Sequence, residues 1–134
     1  MTTTLRILVG LVGLGLLAAS LLMALQTSRF VSTATRQDGT VTRLNAGGSH
    51  PQISFATPDG TGVSYPQGGL IAGMSVGQAV QVLYDPADPA GSARLDSFGS
   101  LWGESLAVFV CGAVLCGLAG LSVFVPVGFY FKGR

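Results

Sequence analysis

LWGESLAVFVCGAVLCGLAGLSVFVPVGFYF, residues 101–131, is the stretch on which the reading of the fold turns. From Leu106 to Val125 it carries no charged side chain. At roughly 1.5 Å per helical residue this run reaches about 30 Å, the thickness of the hydrocarbon core of a bilayer. Trp102 and Glu104 stand before it; Phe129, Tyr130 and Phe131 stand after it, followed by Lys132 and Arg134. Rings with a polar tip, and then cations, are what a membrane interface selects. A transmembrane helix is therefore expected over about 102–128, with Trp102, Glu104, Tyr130, Lys132 and Arg134 at the interfaces.

Working outward, a second apolar run covers Ile7–Leu25, after Arg6 as the single charged side chain of the head. Two readings compete for it. Ala18-Ala19-Ser20 imitates the cleavage site of a secretory signal, whose apolar core is about 7–15 residues long. The run continues through Leu21, Leu22, Met23 and Leu25, which favours a retained helix ending at Gln26–Arg29. The 134-residue sequence is 49% hydrophobic and only 10% charged, against about 25% charged in ordinary soluble domains. Two lipid-embedded helices account for that deficit. The net charge of +1 provides no field for nucleic acid.

Between the two runs the chain changes character, to Gly, Thr, Ser, Asp and Pro interleaved with short alternating stretches. Thr40–Leu44 reads as a strand with a bulge or a frayed end, since Val41 and Leu44 differ in parity. Ile53 and Phe55, then Val63 and Tyr65, alternate on either side of Pro58-Asp59-Gly60, where Pro presets φ and Gly accepts a positive one. This is a hairpin with Asp59 and Gly60 at its tip. Val80, Val82 and Tyr84 form the cleanest alternation. Asp85-Pro86 and Pro89 stop that strand, because proline has no N–H and restricts the residue before it. Ala93–Asp96 is a last short strand. So few and such short strands bury little as a flat sheet and do better rolled up. The expected fold is α+β, with two transmembrane helices flanking a small antiparallel β-barrel-like or sandwich-like module, in segments 1–29, 30–100 and 101–134.

Three pieces of that middle segment look familiar: Asp38-Gly39-Thr40-Val41, Pro51 to Gly60, and Val76 to Pro86 followed by Pro89. Over Thr33–Phe98 the chain resembles the bacterial domain-of-unknown-function 3592 family, small membrane proteins with a β module between or beside helices. The resemblance implies that architecture and no activity.

Gly112, Cys116 and Gly120 form a small-xxx-small stripe, and Gly15 with Ala19 a shorter one. Such stripes let helices approach closely, so these five residues are the expected helix-packing positions, within the chain or between copies. Cys111 and Cys116 lie about 140° apart on a helix, which argues against a disulfide between them. Gly13-x-Gly15-x-x-Ala18 fits a dinucleotide fingerprint in letters only, with no strand before it. His50 has no Cys or second His beside it, and Asp85 and Asp88 are explained by turns before proline. No catalytic residue, metal ligand or cofactor site is expected.

The function read from these features is a non-enzymatic inner-membrane protein with the bilayer as partner. Its β module would bind another membrane or envelope protein as a scaffold, and a free edge at Thr40–Leu44 would accept a partner strand. The alternative is a subunit of an oligomeric transporter or channel. Two spans place both termini on one side, read as the cytoplasmic one, with the module outside.

Overall fold

A computed structural model describes residues 1–46 and 48–124. The expected interface residues Tyr130, Lys132 and Arg134 lie outside those residues. The element order is α1 (Thr3–Thr33), β1 (Thr35–Leu44), β2 (Pro51–Ala56), β3 (Gly62–Pro66), β4 (Ala79–Tyr84), α2 (Pro89–Ser92), β5 (Arg94–Leu95) and α3 (Phe98–Phe124). The chain is α+β, with long apolar helices flanking one curled antiparallel sheet. It divides into two compact units, Met1–Leu22 with Leu106–Arg134, and Met23–Ser105.

In the first unit α1 and α3 approach at Gly13 and Gly112 until not even a Cβ fits there. A Cβ on Gly13 would stand 2.7 Å from Cys116 Sγ and 2.9 Å from the Gly112 carbonyl oxygen. One on Gly112 would stand 2.9 Å from the Gly13 oxygen and 3.0 Å from Leu17 Cγ. Cys116 Sγ donates a long contact, 3.9 Å, to the Gly10 carbonyl. Ala19 is half-buried, whereas Gly15 and Gly120 face open space. Helical rotation explains the difference: Gly15 lies about 200° round from Gly13, and Gly120 about 80° round from Gly112. Both helices are long and apolar enough to cross a membrane, and only 11% of each apolar window is buried.

The second unit takes in the last turns of α1 and the first of α3, and so is wider than 30–100. Polar Gln26–Arg29 does not end α1, which runs on to Thr33. Met23, Thr27 and Phe30 recur at helical spacing as its less exposed face, and the Thr27 hydroxyl donates to the Leu101 carbonyl (3.4 Å). For the same reason α3 begins at Phe98, before Trp102.

The strand order is β3-β2-β1-β4-β5. The sheet is open, curled on itself rather than closed into a barrel or doubled into a sandwich. β1 is its centre, because Thr35–Thr40 pairs with β4 and Gly39–Leu44 with β2. The expected free edge at Thr40–Leu44 is instead taken up on one side by β2 and, at Thr40 and Val41, on the other by β4 and the Gly77–Gln78 main chain; the register shifts between Val41 and Arg43. Alternation sends Val41, Ile53, Phe55, Val63, Tyr65, Val80, Val82 and Tyr84 to one face, where with Leu95 they form the core. Ile71 and Met74, from the loop before β4, pack against it. Phe55 lies edge-on to Tyr65, with centroids 6.3 Å apart, and tilted against Tyr84 at 5.1 Å.

The Tyr65 hydroxyl is buried without a hydrogen-bond partner among the described residues. Burial pushes its pKa well above the ordinary tyrosine range. Tyr65→Phe removes an oxygen whose desolvation is not repaid. We expect it to leave stability unchanged or raise it by up to about 1 kcal/mol. A lowered midpoint in chemical denaturation would contradict this.

Candidate partner-binding surface of the β module

The hairpin tip is built as its sequence requires. Gly60 has φ +87°, and Gly60 N–H donates to the Thr57 carbonyl (2.8 Å). The Asp59 carboxylate accepts from the hydroxyl of Thr57 and from both N–H (3.3 Å) and hydroxyl (3.1 Å) of Thr61. These bonds, the Thr57 hydroxyl foremost, hold its pKa below the ordinary carboxylate value of 3.8. A carboxylate with a lowered folded pKa stabilises fully above its unfolded pKa and loses that effect as pH falls through the folded one. Amide exchange at Thr61 should therefore be slow at neutral pH and accelerate below about pH 4 beyond the intrinsic trend. Asp59→Asn should remove this dependence; its persistence would exclude the carboxylate as its source.

The second turn also uses proline and aspartate. Asp85 Oδ1 accepts from Ala87 N–H (2.9 Å), and Asp88 caps α2 by accepting from Gly91 N–H (3.0 Å), with Pro89 as the first helical residue. Thr61, Tyr84, Pro58, Pro86 and Pro89 line a shallow cleft of about 280 Å³ between the two turns. Asp85 and Asp88 are thus occupied by turn chemistry.

A larger cleft, of about 410 Å³, lies where the inner ends of α1 and α3 meet the β5 side of the sheet. Met23, Gln26, Phe30, Arg94 and Glu104 are among the residues of its wall. The Arg94 guanidinium sits over the Phe30 ring, 5.5 Å from its centroid. Glu104, expected at an interface, is exposed on this wall, and Trp102 is half-buried. Among the described residues the recorded salt bridge is Arg36–Asp96 (3.3 Å), with neither Arg29 nor Arg94 paired to Glu104.

The wall of this cleft also holds a residue that no pattern marks. Gln67 is 7% exposed. Its Oε1 accepts from Leu95 N–H (2.6 Å), and its Nε2 donates to Ser100 Oγ (2.9 Å) and to the Gly68 carbonyl (2.8 Å). Leu95 is the residue of β5 whose main chain points away from β4, since Asp96 N–H donates inward to Gln81. Its carbonyl accepts from Ser97 N–H (2.8 Å). The β5 edge is closed by these contacts. Gln67 lies outside every alternating run, and its role follows only from a partner 28 residues away.

Among the described residues no group of three or more His, Cys, Asp and Glu side chains could hold a metal ion. His50 is exposed on the β1–β2 turn. The surface has clefts, mixed polarity and fixed turns. The described residues form a helix-flanked α+β protein. The chain is 48% identical over 122 residues to the immune protein Tsi4 of Pseudomonas aeruginosa, covering 91% of this chain and 78% of that protein. It belongs to the Tsi4 family. No family model matches the chain, and no solved structure matches it.

Membership of that family corrects the function read from the sequence. Neither a membrane-complex scaffold nor a transporter or channel subunit is what the relative's name describes; it is an immune protein. The membrane and transmembrane description of that function falls with it, as does the bilayer as its partner. The physical reason is plain: apolar length tells where a helix is stable and says nothing about the task of the protein.

Proposed function

We propose that this chain is an immune protein, which protects the cell that makes it by binding a protein toxin, without catalysis. The observation that carries this reading is the identity to Tsi4 along nearly the whole chain. The β module supports it with a surface of clefts and rigid proline turns, preorganised for a protein partner. Deleting the gene in its own host should leave cells inhibited when grown against the parental strain, and restoring the gene should rescue them. Equal growth of the deleted strain beside its parent would overturn the reading.

Location is a separate proposal. The sparsely buried apolar surface of Thr3–Thr33 and Phe98–Leu121 supports placement of the helices in the cell membrane, and the basic, acid-free head with Arg6 before the first apolar run supports cytoplasmic termini. Reporters fused at Gly60 and at the C-terminus should then report opposite sides. Release of the chain by carbonate washing would exclude the placement. The resemblance to the domain-of-unknown-function 3592 family we propose to be one of architecture alone.

A further inference from the structure

From Gly60 to Tyr84 the chain carries no charged side chain. In the middle of that stretch, the loop between β3 and β4 divides its apolar residues between two sides. Ile71 and Met74 pack against the core. Leu70 is 66% exposed, yet it is held in place. Its N–H donates to the Gly99 carbonyl (3.2 Å). A Cβ added to Gly103 would stand 3.0 Å from both Cβ and Cγ of Leu70. Gly99 and Gly103, four apart on α3, thus form a groove in which Leu70 lies against the helix.

That groove belongs to a longer stripe. By helical rotation Gly99, Gly103, Leu106 and Val110 fall within about 60° of one another on α3. Leu106 and Val110 are exposed, so Leu70 prolongs the apolar face that they begin. Glu104 is about 100° round from Gly103, on the wall of the larger cleft, and its charge lies off this face. A lone exposed leucine needs no explanation, whereas one that extends an apolar stripe does. Its level along α3 says what meets it. Gly103 precedes Leu106, where the charge-free run starts, by three residues, or about 4.5 Å. With α3 in the membrane, Leu70 stands where headgroups give way to acyl chains, beside the ring-bearing Trp102 that such a boundary selects.

We propose that Leu70 is inserted in the lipid at the membrane surface, so that the loop between β3 and β4 seats the β module on the bilayer. This rests on the membrane placement proposed above. The test uses the full chain in vesicles of phosphatidylethanolamine and phosphatidylglycerol, part of the lipid being brominated near the top of its acyl chains. Trp102 is the single tryptophan, so Leu70→Trp in a Trp102→Phe background carries one reporter ring. A ring about 5–10 Å into the boundary lies beside the bromines, and its emission should fall by about half. Ala56→Trp in the same background is the control. Ala56 is exposed and pairs with Gly62, roughly 16 Å along β3 from Gln67. Its emission should fall by no more than about a tenth. Leu70→Cys is the second variant, should the tryptophan variants not fold. A charged maleimide supplied to both sides of the vesicles should label it about tenfold more slowly than Ala56→Cys. Unquenched Leu70→Trp, or equal labelling of the two cysteines, in a chain that resists carbonate washing would overturn the loop proposal and leave the membrane placement standing. Equal quenching at Ala56 would overturn it too, because lipid would then touch the whole module. An unquenched ring with blue-shifted emission would assign Leu70 to a protein contact instead, with a second copy or with the toxin. Release of the wild-type chain by carbonate would remove both proposals.

Discussion

Gly99→Ala will destabilise the β module by about 2–3 kcal/mol, although helix propensity alone predicts a gain. Gly99 is in the first turn of α3, where replacing Gly by Ala ordinarily stabilises by up to about 1 kcal/mol. Its Cβ, however, would fall 1.8 Å from the Leu70 carbonyl oxygen and 2.9 Å from the Leu70 carbonyl carbon. A main-chain group cannot rotate aside as a side-chain tip does. The Gly69–Ile71 segment must lift, which breaks the bond from Leu70 N–H to the Gly99 carbonyl (3.2 Å). It also loosens Ile71 against the core. Overpacking costs about 1–3 kcal/mol and the lost bond about another, so the clash outweighs propensity. Trp102, three residues along α3, reports the unfolding in a denaturant titration. Gly117→Ala is the control, because a Cβ there meets nothing within 4 Å. It should be neutral or slightly stabilising. Equal midpoints for the two variants would mean that Leu70 is free to move.

Gln67→Leu will cost about 3 kcal/mol at nearly constant volume. Three hydrogen bonds leave with the amide, and the Leu95 N–H loses its acceptor inside the protein. A buried donor left without a partner costs about 1–3 kcal/mol, more than a made bond contributes. The loss has an address: amide exchange at Leu95 should rise above that of Val82, its cross-strand partner. A uniform rise across the sheet would mean that Gln67 supports the fold globally rather than closing the β5 edge. Both substitutions act on one structural joint, where the chain after β3 is fastened to the start of α3.

Much of the fold was legible before any coordinates. Ile53 and Phe55, Val63 and Tyr65, and Val80, Val82 and Tyr84 point inward as their alternation requires, because a pleated strand turns successive side chains to opposite faces. Pro58-Asp59-Gly60 turns as its residues dictate, and Asp85–Pro89 ends β4. The first half of β1 was not legible. Thr35–Gly39 has no apolar alternation, and its pairing with β4 is made by main-chain groups that every sequence carries. The helix contact was half legible. Spacing of four marks Gly112 and Cys116, but it marks Gly15 and Gly120 as well, and only the mutual rotation of α1 and α3 selects Gly13. Of the candidate surface, the Asp59 turn was visible. Gln67 was not.

By itself, then, the sequence determined what each segment is. Apolar length makes α1 and α3, alternation makes the strands, and Gly, Pro and Asp make the turns, since each of these depends on neighbours in the chain. Only the tertiary structure decided which strand lies in the centre and which strands lie at the edges. It also decided which polar side chain closes the β5 edge. Those outcomes depend on hydrogen bonds between residues tens of positions apart, and the donors and acceptors of the main chain are the same in every residue but proline.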